Sequence, residues 1–297
     1  MIDLRYHIAS LVAIFLALGL GVLIGSTMVS DDVMVAQQQK MIDRLEEQFY
    51  ALRDKENTLV AENEKSKKII DNYENFSQSI LPQLVTGRLV GTQVAVMVTG
   101  TEDIPAGMLN AFSLAGANVT SKTVLLPNIS MNDANIRNNI IKYYGLDSGA
   151  NRDVMRQKVA ETMGAVLSNQ ADPEAVEFLE QNNLVKLNGN YNVAVSAVII
   201  VGGANDLTVY FPDSFDRSLI NSVAAAGIKA YGTETSQVKY SYMSRLQQNN
   251  ITTVDNIDLG PGQISVILSM QGEQGDFGIK STAKKFMPSL PVESTRR

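Results

Sequence analysis

The chain contains no cysteine and no tryptophan, and its one histidine is His7. Without cysteine there can be no disulfide, no cysteine-based zinc site and no thiolate copper site. With histidine confined to position 7, no Ser-His-Asp or Cys-His arrangement can form in the rest of the chain. Aromatic residues are only 6% of the composition, and the formal net charge is −6. That balance argues against nucleic acid as a partner. No G-x-G-x-x-G fingerprint and no P-loop lysine follows any glycine-rich turn. Glycine and proline are both missing from Ser26 to Leu81. A run that long without a breaker predicts one continuous helix, ended by Pro82 and Gly87.

What is present begins with an apolar stretch. Residues 8–29 carry no charge. As a helix they would span roughly 33 Å, enough to cross a hydrocarbon core of about 30 Å. Arg5, His7 and the N-terminal amine precede the stretch against a single acid, Asp3, and Asp31 and Asp32 follow it. The positive-inside rule therefore places the N-terminus in the cytoplasm and residues 30–297 outside it. A cleaved signal peptide is the competing reading. Its apolar core is normally about 7–15 residues, shorter than this run, and Gly25-Ser26-Thr27 is a poor cleavage site. Ala9, Ala13, Ala17, Gly21 and Gly25 recur every four residues. They form a small-residue stripe of the kind along which membrane helices pack, and Gly21–Gly25 is a GxxxG motif.

The stretch that follows has a heptad pattern. With Ile42, Phe49, Glu56, Asn63 and Ile70 at a, the d positions are Leu45, Leu52, Leu59, Ser66 and Tyr73. Seven of these ten are apolar, which predicts a coiled-coil seam in which Asn63 fixes register. Residues 31–80 carry 11 acids and 7 bases, a charged and solvated face suited to a stalk. Small-residue stripe and heptads together predict a homodimer. An amphipathic helix packed on its own domain is the alternative. Met28, Met34 and Met41 read as helix-face packing rather than a thioether cluster.

After Gly87 the pattern changes to alternating strands and helices. Strands are expected at Thr92–Thr99, Asn118–Leu126, Val193–Val201, Ile228–Tyr231 and Ile251–Val254. Helices are expected at Pro105–Ala115, 133–144, 152–167, 173–182, Ser214–Ala226, Ser236–Gln248 and Pro261–Met270. The fold class is α/β: an N-terminal transmembrane helix, a coiled-coil stalk, then a mainly parallel-sheet, Rossmann-like α/β domain with a helical insertion. The expected layout is anchor 1–30, stalk 31–85, extracytoplasmic domain 88–285 and disordered tail 286–297.

Ligands of such sheets bind beyond the carboxyl ends of the strands. Those ends carry Gly100, Thr101, Gly202, Gly203, Asp206, Glu234 and Asp255, a candidate cleft that is small, polar and acidic. Its carboxylates could attract a hard cation, but glycine and aspartate at strand ends are also ordinary turn residues. No catalytic constellation and no cofactor follow from these residues, so the domain reads as non-catalytic.

The opening Met1-Ile-Asp-Leu-Arg-Tyr-His7 and the apolar run to Gly25 resemble the N-terminal signature of the mycobacterial copper transport protein B family. The stalk, the α/β domain and Gly278-Ile279-Lys280 before Pro288 fit that family's layout. The resemblance implies a bacterial envelope protein with a role in copper transport or homeostasis. For a corynebacterial relative it implies a partner in controlling cell-wall hydrolysis at division. Copper is implied by this resemblance only, and no metal ligand carries over by motif. The partners expected are membrane lipid, a second copy of the chain and other envelope proteins.

Overall fold

The computed structural model describes residues 4–100 and 103–290. Thr101 and residues 291–297 of the expected tail lie outside the described residues. The chain divides into two compact units, Met1–Asp71 and Asn72–Arg297. The first unit is helical throughout its described length, as part of α1, Leu4–Val85. Within α1, Arg5–Ser26 is long and apolar enough to cross a membrane. The helix runs through Pro82 instead of stopping there. Proline forfeits a hydrogen bond to the carbonyl four residues back, a loss tolerable in the last turn. The Pro82 carbonyl still accepts the Thr86 N–H at 3.0 Å.

The second unit is built on a mixed seven-stranded sheet of order β3-β2-β1-β4-β5-β6-β7. The strands are β1 (Gln93–Val98), β2 (Asn118–Leu125), β3 (Val185–Gly189), β4 (Ala197–Val201), β5 (Lys229–Thr233), β6 (Thr252–Val254) and β7 (Asp276–Phe277). Every pairing is parallel except that of β2 with β3. The helices of this unit are α2 (Ala106–Ala115), α3 (Ala134–Tyr144), α4 (Arg152–Leu167), α5 (Pro173–Gln181), α6 (Arg217–Ala225), α7 (Met243–Leu246) and α8 (Gly260–Met270).

Side-chain alternation along the central strands divides the core into two layers. Val94, Val96 and Val98 of β1 pack with Met108 and Phe112 of α2, Ile264 of α8, and Leu81 and Val85 from the end of α1. Ala95 and Met97 face the other way, against Val159 and Met163 of α4, Leu219 of α6 and Tyr242. The last turns of α1 thus belong to the body. Ser77, Leu81 and Val85 are buried, and the Glu74 carboxylate accepts the N–H of Gly260 at the start of α8. A negative charge there complements the exposed amides and dipole of the helix start. Asp133, Asn151 and Asp172 accept backbone N–H groups at the starts of α3, α4 and α5.

Four sequence expectations are corrected. Val185–Gly189 and Asp276–Phe277 are strands that were not foreseen. The fourth strand begins at Ala197 rather than Val193. The helix expected over Ser236–Gln248 is confined to α7 and a short 3-10 turn at Gln247–Asn249. Tertiary contacts claim the rest of that segment. Tyr240 forms an antiparallel bridge with Ala204, and Ser236 donates its N–H and hydroxyl to Asp258.

Candidate functional site

Strand order reverses between β1 and β4, because the chain leaves β1 for β2 on one side and returns to β4 on the other. In open α/β sheets such a reversal opens a crevice at the carboxyl ends. Here those ends are Thr99-Gly100 and Gly202-Gly203. Thr99 continues the ladder by donating its N–H to the Val201 carbonyl at 2.9 Å. The two turns then touch: a Cβ at Gly100 would overlap the Gly203 carbonyl. Above them lies a cleft of about 890 Å³. Thr99, Gly100, Asp103, Asn205, Asp206 and Thr208 supply its polar side, and Val124–Pro127, Ile129 and Val209 an apolar wall, with Pro105, Lys186 and Thr235 completing the lining.

The candidate residues divide into two groups. Gly100 and Asp206 line this cleft, and Gly203 supports it from below. Asp206 is also tied to its own loop: it accepts the Thr208 N–H at 2.9 Å, and that bond holds its carboxyl below the usual carboxylate range. Glu234 and Asp255 are instead committed to internal bonds. Glu234, fully buried, accepts the Tyr242 N–H, the Ser241 hydroxyl and the Lys280 ammonium, the last at 2.6 Å. Asp255 accepts the N–H groups of Ile279 and Lys280 at 2.7 and 2.9 Å. Together they hold the Gly278–Lys280 segment against the ends of β5 and β6. Gly202 is buried, and a Cβ there would run into the Tyr242 ring.

One group that the sequence reading did not single out sits beside the cleft. Asp216 closes a π-type turn, Pro212–Asp216, that leads into α6, and it is 1% exposed. Burial pushes its carboxyl up to about 7; the neighbouring Thr99 hydroxyl and its own backbone N–H act against this, and Asp213 adds to it. Apart from each other, Asp216 Oδ1 and Thr99 Oγ1 have no hydrogen-bond partner. The turn is fixed by Arg156 of α4. Its guanidinium donates to Ser214 Oγ, the Ser130 carbonyl and Asp153, and lies 4.2 Å from the Phe211 ring centre. In sequence, Pro212-Asp-Ser-Phe-Asp216 looks like an ordinary acidic first helical turn, so nothing marked Asp216 as buried.

Residues 1–288 match the family described as "Copper transport outer membrane protein, MctB". The chain belongs to this family. It is 25% identical to "Copper transporter MctB" of Mycobacterium tuberculosis (strain ATCC 25618 / H37Rv) over 321 aligned positions, covering 94% of this chain and 96% of that protein. The protein of the same name from Mycobacterium leprae (strain TN) is 27% identical with the same coverage. Membership of the MctB family and the apolar helix Arg5–Ser26 agree with a membrane protein related to copper transport.

The soft donors of this MctB family member are one histidine and twelve methionines. Copper(I) selects thiolate, thioether and imidazole ligands. The chain has no cysteine, its one histidine is in α1, and among the described residues no group of three or more His, Cys, Asp or Glu could hold a metal ion. Met97, Met108, Met131, Met155 and Met163 are buried in the two core layers, whereas Met34 and Met41 are exposed on α1.

Proposed function

We propose that this protein is a single-pass envelope protein serving copper transport or homeostasis as a non-catalytic, dimeric scaffold. Its N-terminus lies in the cytoplasm and its body outside. The copper role rests on family membership and on the name borne by the mycobacterial relatives. The strand order, reversing between β1 and β4, supports a Rossmann-like body with an antiparallel edge at β3. On this reading the body meets other envelope proteins, and copper handling falls to the assembly rather than to a tight site in this chain.

The observation that carries the scaffold reading is the pattern of exposure along α1. Ile42, Leu45, Phe49, Leu52, Leu59, Ile70 and Tyr73 are each more than half exposed in the single chain. They are spaced as a seam, and Asn63 lies exposed among them. Apolar side chains repeating every three or four residues along a water-facing helix call for a partner helix. The stripe Ala9, Ala13, Ala17, Gly21 and Gly25 is exposed in the same way in the apolar segment and supports close approach of a second span.

Sedimentation of residues 31–297 tests this. Each seam leucine contributes roughly 1.5–3 kcal/mol by burial. Leu52→Asp places an unpaired charge in the seam of both chains and costs several kcal/mol more. The unmodified protein should sediment as a dimer at micromolar concentration, and the Leu52→Asp protein as a folded monomer. A monomeric starting protein, or a dimer unaffected by the substitution, would remove the physical basis of the scaffold.

A further inference from the structure

We propose that the π-type turn Pro212–Asp216 is a pH-operated latch on the cleft, closed while the Asp216 carboxyl keeps its proton and released toward the cleft when that proton leaves. The carboxyl is buried, and the donors that reach it are the Thr99 hydroxyl and its own backbone N–H. A neutral carboxyl can be held in such a site by one or two hydrogen bonds. A carboxylate left there without a cation costs far more, because its lost hydration is not replaced.

The cations around the turn are committed elsewhere. Arg156 of α4 is bonded to Ser214, the Ser130 carbonyl and Asp153. Arg217 at the start of α6 pairs with Asp213, and Arg245 of α7 lies 3.7 Å from the same acid. Asp213 itself acts against a second negative charge nearby. The remaining titratable group facing Asp216 is the Tyr242 hydroxyl, which donates to the Val209 carbonyl. An ionised Asp216 is therefore left to find water, and the cleft offers it. Thr99 lines the cleft, and so do Thr208 and Val209 on the chain just ahead of the turn. The turn is a separate bonded unit, closed by the Arg217 N–H on the Pro212 carbonyl, and single π-type turns of this kind recur at functional sites. Burial pushes the Asp216 carboxyl up to about 7, which places the release near neutrality.

The chain has no tryptophan, so Thr208→Trp places a single indole at the exposed rim of the cleft. The test is a pH titration of that full chain in nanodiscs, read by indole emission and by far-ultraviolet circular dichroism. The emission maximum should shift in one step between about pH 6 and pH 8 while the circular dichroism stays constant. With Asp216→Asn added, the step should vanish. Thr99→Val removes a donor that favours the charged form, so with it the step should survive and move to higher pH. That variant decides the matter if Asp216→Asn fails to fold. The latch is overturned by a flat titration of the Thr208→Trp chain, by a step that persists in Asp216→Asn, or by a Thr99→Val step at unchanged or lower pH. Loss of circular dichroism in the same step would overturn it too, since the whole body would then be unfolding.

Discussion

A buried carboxylate with a lone hydroxyl for a side-chain partner is costly, and Asp216 makes that cost measurable. Its carboxyl is raised from 3.8 to about 7 because burial disfavours the charge, so the folded chain keeps this proton after the unfolded chain has lost it. Between about pH 4 and pH 7 the unfolded state therefore binds fewer protons at this position than the native state. Stability falls as pH rises through that window and levels off above about 7. Complete expression of the shift corresponds to roughly 4 kcal/mol. The groups facing Asp216 are Thr99, Asp213 and Tyr242, and none of them is a cation. Asp216→Asn cannot ionise. Its melting temperature in near-ultraviolet circular dichroism should gain on the unmodified chain from pH 5 to pH 8. A difference that does not change with pH would show that Asp216 titrates normally. Glu234 illustrates the opposite outcome at the same scale. It is equally buried, but Lys280, Ser241 and the Tyr242 amide satisfy it. Residue type cannot separate these two acids: each stands beside a helix or strand end, and the decisive partner of Glu234 lies 46 residues away.

At the scale of elements, the parts legible in the sequence are those whose signals are local. Asp172-Pro173 marks the start of α5, and the valine-rich runs of β1 and β4 end at glycine, as buried parallel strands do. The misread parts are set by distant contacts. β3 is a five-residue edge strand, largely exposed, with the turn-like Asn188-Gly189 at its end, and it exists because β2 pairs with it. β7 is two residues long and owes its place to the strap that follows it. Gly278 adopts φ +139° with its Cα against the Asp255 carboxylate, so that the next two amides can donate to that carboxylate. Any Cβ there meets the carboxylate, and the backbone angle itself is strained for an L-residue. Gly278→Ala should therefore cost about 1–3 kcal/mol from backbone strain alone. Hydrogen exchange should show the amides of Ile279 and Lys280 losing protection before the rest of the sheet. Unchanged protection would mean that the strap tolerates a side chain and that its glycine is incidental.

At the scale of the whole molecule, family and composition make different demands. The family is described by copper transport, yet this chain has no cysteine and a single histidine to offer copper. Its one imidazole, His7, lies at the start of the apolar segment of α1, and Met97, Met108, Met131, Met155 and Met163 fill the core of the body. Pulling a core methionine out to ligate a metal would forfeit its packing, a loss of about 2–5 kcal/mol per site by analogy with truncating it. The exposed thioethers Met34 and Met41 lie seven residues apart on α1, and the oxygen donors are hard and match copper(I) poorly. The full chain in detergent should therefore show no stoichiometric copper(I) binding in the presence of a chelator that holds free copper at nanomolar levels. Exposed carboxylates should take up copper(II) only weakly and lose it as salt rises, since solvent-exposed charges are screened within about 10 Å at 0.1 M. Stoichiometric copper(I) retained against the chelator would mean that the core methionines open at modest cost. The metal would then be handled by this chain itself, and the assembly would no longer be needed to explain the family's role.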